Sequence, residues 1–187
     1  MNKAMGTEAR LMYSPTLFNC LANPISKQVV MGQPLQRYAE MQGPQAVGLG
    51  MGFLLAHEFG HMFQFKMVDD QPEKLGNDTP VNELQADVLA GYWAAIRIQE
   101  QREEQGQSRE WENANKDYYL KAAGSLGDYA FFSPSHHGTP QQRYAAVKKG
   151  YNGGQDRKFG NLSEAYSDNA KRMFDWSREE SKKIMGR

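Results

Sequence analysis

The stretch QAVGLGMGFLLAHEFGHMFQFK, residues 45–66, decides the fold. Its large apolar residues recur at spacings of three and four, the period of an α-helix that is buried over much of its surface. The glycines at 48, 50 and 52 each cost about 1 kcal/mol relative to alanine, so they predict a close crossing with another helix. The apolar positions of this expected helix are Val47, Met51, Leu54, Leu55, Phe59, Met62 and Phe63.

The same helix carries a HEFGH segment. His57 and His61 are four residues apart, which places both imidazoles on one helix face, one turn apart. Two imidazoles in this arrangement can bind one metal ion. Glu58 lies about 100° round the helix from His57, near enough to hold a metal-bound water without ligating the ion. Because zinc lowers the pKa of a bound water to about 7, Glu58 is expected to act as a general base.

A catalytic zinc ion usually has three protein ligands and one water, so the two histidines need a third ligand. Cys20 is the only cysteine, which excludes a thiolate cluster and leaves histidine and carboxylate. Residues 82–87 read NELQAD at the start of a second expected helix, where Glu83 and Asp87 share a face. We assign Glu83 as the third ligand and Asp87 as a hydrogen-bond acceptor for a ligating imidazole. The simpler alternative is that both are acids that favour a helix N-terminus.

Composition excludes several classes of partner. The 187 residues include 22 Lys and Arg and 22 Asp and Glu, so no overall field attracts nucleic acid or an anionic membrane. We therefore expect no nucleic-acid partner. No run of residues approaches the roughly 20 apolar positions that a transmembrane helix requires. Residues 1–10 lack the features of a signal peptide, although a leader or anchor removed from the chain is compatible with the sequence.

The remaining patterns predict one short strand and several helices. Residues 1–24 have no sustained period and are expected to form irregular coil. Residues 25–31 alternate and are closed by glycine and proline, which predicts a strand. Further helices are expected at residues 35–41, 79–106, 111–126, 139–150 with a stop at the glycines of 150–154, and 161–187, the last amphipathic and capped by Asn161 and Glu164.

Three motifs carry a family resemblance. HEFGH at 57–61, ELQAD at 83–87 and SHHGTPQQRYAAVKKGY at 135–151 follow one another in order. Together they resemble the gluzincin metallopeptidases, and most closely the bacterial neutral zinc metallopeptidase family. The similarity spans roughly residues 11–151 and leaves the residues after it outside.

The resemblance implies one zinc ion per chain, bound by His57, His61 and Glu83, with Glu58 as the catalytic acid/base. It also implies that a strand beside the active-site helix binds an extended substrate as an added strand. Residues 25–31 are the candidate for that strand. The expected substrate is a peptide or a protein.

Two positions depart from the family. Relatives tend to have cysteines where this chain has Ser14 and Val88, as if the two were paired. Their joint loss fits a chain that does not depend on an oxidising compartment, and it also fits replacement by packing. We leave the localisation open, with a slight preference for the cytoplasm.

The later motif supplies candidates for transition-state stabilisation. Its HGT part places His137 in a loop before a helix, and a gluzincin needs a donor for the oxyanion of the tetrahedral intermediate. We assign this role to His137, with His136 as the alternative and Tyr129 as the next donor to test. Arg143, one turn into the following helix, is expected either to pair with a carboxylate such as Asp87 or to be solvated.

These expectations combine into one domain over residues 1–187, mainly α with a small N-terminal β-sheet (α+β), in the manner of a minimal gluzincin. The expected activity is that of a zinc metalloendopeptidase. Two other functions stay open. One is a zinc-stabilised binding or regulatory module without turnover, against which the intact Glu58 argues. The other is a hydrolase of non-peptide amides, which would share the machinery and differ only in substrate.

Overall fold

A computed structural model describes residues 7–44, 46–69, 71–129, 137–159 and 168–187. It is 68% helical, with a three-stranded sheet near the N-terminus. The predicted class, mainly α with a small N-terminal sheet, is therefore confirmed.

The sheet contains strands β1 (Arg10–Ser14), β2 (Cys20–Asn23) and β3 (Gln28–Gly32). Its order is β1-β3-β2, with β1 parallel and β2 antiparallel to β3. The expectation of coil over residues 1–24 is thus wrong, because that range contains two strands. Most side chains of β1 are exposed, so the strand has no buried face that would produce an alternating pattern.

The central strand differs slightly from its expected position. Residues 25–31 were predicted as strand, whereas β3 begins at Gln28 after a turn in which Lys27 has a φ of 51°. Val29 and Met31 of β3 are buried, and with Cys20 of β2 they pack on the long helix that carries His57 and His61. The sheet therefore covers one side of that helix. The helix contributes Met51, Phe59 and Met62 to this cluster.

The helices follow the predicted order. The expected helix over residues 45–66 is a π-helical turn, Ala46–Gly50, followed by an α-helix that runs to Met67. In the described ranges, no helix combines the length and the apolar character that a bilayer span requires. The helices are α1 (Gln33–Gln42), α2 (Met51–Met67), α3 (Thr79–Glu104), α4 (Arg109–Ser125), α5 (Pro140–Gln155) and α6 (Asp168–Ile184).

The closest helix crossing lies between α3 and α5, not at the start of α2. A Cβ on Gly48, Gly50 or Gly52 would meet nothing within 4 Å, so the crossing predicted there is wrong. A Cβ on Gly150 of α5 would instead lie 1.9 Å from the Val88 carbonyl oxygen of α3. The glycines at 150–154 were predicted to stop the helix, but α5 continues through them. Here glycine permits close backbone packing and does not end the helix.

Helix α6 completes the described core. The predicted start at residues 161–164 lies outside the described residues, and the described helix begins at Asp168. Its apolar positions Ala170 and Met173 are buried against Phe159 and the middle of α3. The same face buries two polar residues completely, Ser177 and Ser181. The C-terminal helix is therefore packed against α3, the helix that carries Glu83 and Asp87.

Candidate metal centre

The centre lies where α2 crosses α3. Gly60 of α2 faces Ala86 of α3, and a Cβ on Gly60 would be 3.0 Å from the Ala86 carbonyl oxygen. Only a small residue at this position lets the two helix backbones approach so closely. The close crossing brings His57 and His61 on α2 against Glu83 on α3.

The three side chains have the spacing of ligands to one metal ion. The two Nε2 atoms of His57 and His61 are 3.1 Å apart. Glu83 oxygens lie 3.2 Å from His57 Nε2 and 3.4 Å from His61 Nε2. A tetrahedral ion with bonds of about 2.0–2.2 Å separates its ligand atoms by about 3.3–3.6 Å. The three residues are therefore close enough to hold one metal ion between them.

The positions of the hydrogens on the two imidazoles also favour a cation between the Nε2 atoms. His57 Nδ1 lies 2.8 Å from an oxygen of Asp87, and His61 Nδ1 lies 2.8 Å from Gln64 Oε1. A carboxylate and an amide oxygen only accept, so each Nδ1 must donate its hydrogen. In the neutral imidazoles this leaves both Nε2 lone pairs facing the carboxylate of Glu83. Three electron-pair donors converge, which is the arrangement that a cation stabilises.

The charges around the ligands favour positive charge at the centre. Burial opposes ionisation of His57, but hydrogen bonds and charges from Asp87 and Glu83 outweigh it and raise the pKa of His57 to about 10. Burial likewise opposes the negative charge on Glu83, yet the two imidazoles hold its pKa below the usual range. The buried carboxylates thus stabilise a cationic group between them.

Asp87 is fixed by a buried ion pair. Arg143 Nε donates to one carboxylate oxygen and Arg143 Nη2 to the other, both at 2.8 Å. Asp87 is fully buried and Arg143 nearly so. Burial tends to raise the pKa of Asp87, but the guanidinium charge and the His57 bond lower it further than burial raises it. Arg143 on α5 therefore orients the Asp87 carboxylate, which in turn orients the His57 imidazole.

Glu58 lies beside the three ligand residues in a cavity of about 430 Å³. Its carboxyl group accepts a hydrogen bond from the Ala22 backbone, and burial raises its pKa. A carboxylate whose pKa is raised is a stronger base than an exposed one. Residues of four elements line this cavity: Asn19, Cys20, Leu21, Ala22, Leu54, His57, Glu58, His61, Phe65, Glu83, Leu126, His137 and Arg143.

The strand beside the cavity is β2. Residues 25–31 were predicted to receive an added substrate strand, but β3 pairs with β1 on one side and with β2 on the other. A strand paired on both sides has no free edge for a further strand, so that assignment is wrong. β2 pairs with β3 alone among the described strands, and Cys20–Ala22 of this edge strand line the cavity. Sequence reasoning missed β2 because four residues are too few to show a period.

The candidate oxyanion donors occupy different positions. His137 lines the cavity, its backbone N–H donates to Asp128 at 3.0 Å, and its side chain is 47% exposed. His136 lies outside the described residues. The Tyr129 hydroxyl donates to Gln141 Oε1 at 3.1 Å, and Tyr129 is not among the described residues that line the cavity. Of the two described candidates, only His137 faces the space next to the ligands.

If the three residues hold a metal ion, replacing Asp87 by asparagine is expected to weaken metal affinity by about 10- to 100-fold, because it removes the charged acceptor that orients His57. It also leaves the buried Arg143 without its carboxylate, so the free energy of unfolding should fall by about 3–5 kcal/mol. Metal-buffer titration and denaturant unfolding measure the two effects.

The matched control is Arg143→Gln, which breaks the same ion pair but keeps the carboxylate that accepts from His57. It should lower the free energy of unfolding with a smaller effect on metal affinity. Equal losses of affinity in the two variants would show that Asp87 affects the metal only through the stability of the fold.

Comparison with known proteins gives a distant relationship. No protein-family profile matches the chain, and no solved structure matches it. The chain is 32% identical over 123 residues to "Uncharacterized protein YpfJ" of Escherichia coli strain K12, and equally to the protein of that name in strain O6:H1. The match covers 55% of this chain, which spans about 40% of the length of these curated relatives. The name of these relatives states no activity.

Proposed function

We propose that this chain is a zinc-dependent peptidase, in which a metal-activated water hydrolyses a peptide bond and Glu58 acts as general acid/base. The main support is that the three candidate ligands and Glu58 border one cavity of about 430 Å³. Two imidazoles and one carboxylate are a donor set typical of catalytic zinc, which keeps a fourth position for water. Calcium and magnesium prefer oxygen ligands throughout, so this donor set favours zinc over either of them.

A zinc ion in this site would supply a water of lowered pKa and would polarise the substrate carbonyl. Glu58 accepts the proton of the attacking water and passes it to the leaving nitrogen. Its raised pKa suits both directions of transfer. His137 donates a hydrogen bond to the developing oxyanion. Asp87 and Gln64 hold the two ligating imidazoles by their Nδ1 hydrogens.

The edge strand favours a peptide over other amides as substrate. An extended peptide can lie along β2, whose residues 20–22 line the cavity next to Glu58, and donate to its backbone carbonyls. That pairing would position a backbone carbonyl at the ligand residues. A small non-peptide amide would gain nothing from the strand.

The direct test is metal analysis of the purified protein together with cleavage of denatured casein. We expect one zinc ion per chain, cleavage of casein, loss of cleavage with 1,10-phenanthroline, and recovery when zinc is restored. Protein without zinc, even after incubation with the metal, would contradict the centre. Zinc binding without cleavage of casein or of a random peptide mixture would favour the binding module instead.

A further inference from the structure

A line of buried polar side chains runs from His61 away from the cavity. Gln64 and Gln85 are both fully buried, on α2 and α3 respectively. Gln64 Nε2 donates to the Asn82 carbonyl oxygen at 2.7 Å and to Gln85 Oε1 at 3.1 Å. With its donor end engaged there, the amide directs Oε1 at His61 Nδ1, 2.8 Å away. The orientation of the Gln64 amide thus fixes which nitrogen of His61 carries the hydrogen.

The same line continues into the C-terminal helix. Gln85 Nε2 donates to Ser177 Oγ at 3.1 Å and to the Phe174 carbonyl oxygen at 3.0 Å, both on α6. Arg178 Nη1 donates to Gln85 Oε1 at 3.3 Å and to Asn82 Oδ1 at 3.0 Å. These bonds hold Gln85 at both ends of its amide. Asn82 precedes Glu83 directly, so Arg178 also ties α6 to the position of the third ligand.

Two fully buried glutamines between packed helices are costly unless every polar atom has a partner. Apolar side chains would pack α2 against α3 without that cost. Among the described residues, this network reaches a ligating imidazole through the bond from His61 Nδ1 to Gln64 Oε1. On the other side of the centre, Asp87 and its partner Arg143 hold His57 in the same way. Each imidazole therefore donates to an acceptor, Asp87 or Gln64, and a residue of a neighbouring helix holds that acceptor in place.

We propose that Gln64 is a positioning residue for His61, and that helix α6 holds it in place through Gln85 and Ser177. This inference depends on the metal site of the proposed function and not on the hydrolytic reaction. Helix α6 lies beyond residues 11–151, which carry the family resemblance. Its contribution makes the C-terminal helix part of the scaffold that sets metal affinity.

Two substitutions at Gln64 separate positioning from simple packing. Gln64→Met keeps the length of the side chain but removes the acceptor, so zinc affinity should fall by about 10- to 100-fold. Gln64→Glu keeps an acceptor for His61 Nδ1, so zinc affinity should stay within about threefold of the parent. Glutamate also places a charged carboxylate oxygen against two acceptors, the Asn82 carbonyl and Gln85 Oε1, so it should be the less stable of the two.

The order of the two effects decides the result. If Gln64 only packs the helices, zinc affinity should follow stability, and the glutamate variant should bind zinc more weakly than the methionine variant. If Gln64 positions His61, the glutamate variant, which keeps the acceptor, should bind zinc more tightly than the methionine variant although it is the less stable of the two. The absorption spectrum of the cobalt(II)-substituted protein gives a second readout. It should match the parent in Gln64→Glu and change in Gln64→Met.

The role of α6 is tested by a matched pair of serines. Ser177 and Ser181 are both fully buried on α6, and each donates to a backbone carbonyl of its own helix, at 2.9 and 2.8 Å. Ser177 also accepts from Gln85. We expect Ser177→Ala to weaken zinc binding by about 2- to 10-fold and Ser181→Ala to leave it unchanged.

Equal zinc affinity in the two serine variants would overturn the role of α6. Failure of the parent to bind zinc would overturn both the metal centre and this inference. Zinc binding without peptide cleavage would contradict only the hydrolytic part of the proposed function, because all of these measurements concern the metal.

Discussion

Glu58→Gln is expected to lower the rate of casein cleavage by about 10²- to 10⁴-fold while the zinc content stays at one ion per chain. Glutamine has nearly the shape of glutamate but cannot take the proton of the attacking water. It can still accept the hydrogen bond from the Ala22 backbone, so the local fold should be retained. Initial cleavage rates and metal analysis of the same preparation measure both quantities.

Glu83→Gln is the matched control for this experiment, because it makes the same chemical change at a candidate ligand. It should weaken zinc binding, whereas Glu58→Gln should not. Full activity in Glu58→Gln would remove Glu58 from the mechanism. Loss of zinc in Glu58→Gln would mean that Glu58 acts on the metal, which contradicts its assignment as acid/base.

The helical part of the fold could be predicted because its signals are local. A helix that buries one face repeats its apolar residues every three or four positions, and residues 45–66 and 79–106 both show this period. The strands β1 and β2 gave no such signal. They are four or five residues long, β1 is largely exposed, and both exist because they pair with β3. The pairing of β1 with β3, 18 residues further along the chain, is not visible in a local pattern.

The glycines illustrate the same limit. The sequence shows that glycine occurs at 48, 50 and 52 and again at 150, 153 and 154, but not which group packs against another helix. The structure shows close packing at Gly150 and open space at the earlier group. From the sequence, the first group was expected at a helix crossing and the second at a helix end, whereas the crossing lies at the second group. Both expectations are reasonable for glycine, because a missing side chain both weakens a helix and permits a close approach.

The candidate site divides in a similar way. The positions of His57, Glu58 and His61 around one helix could be predicted from helix geometry alone. The same geometry predicts that Glu83 and Asp87 share a face of a second helix. Gln64 was missed, although a polar residue inside an apolar helix face is itself a signal of a buried polar contact. Its partner Gln85 lies 21 residues further along the chain, and Ser177, which accepts from Gln85, lies 113 residues further, so no local pattern connects them to His61.

His137→Ala is expected to lower kcat for casein by about 10²- to 10³-fold, the loss seen when one oxyanion donor is removed. The physical reason is that the donor is needed only once negative charge develops on the carbonyl oxygen, so KM and zinc content should change little. The side chain lines the cavity of the metal centre but is not one of its three candidate ligands. Initial rates over a range of casein concentrations separate kcat from KM.

Three further variants make this test decisive. His137→Gln keeps a side-chain N–H donor and should recover part of the activity, which a residue that only fills space would not require. His136→Ala is expected to have a mild effect, and a large loss there would transfer the role to His136. Tyr129→Phe should be nearly silent, because its hydroxyl is engaged with Gln141 at 3.1 Å. If His137→Ala cleaves casein as fast as the parent, His137 has no part in the mechanism, and a large loss in Tyr129→Phe would then identify the tyrosine as the donor.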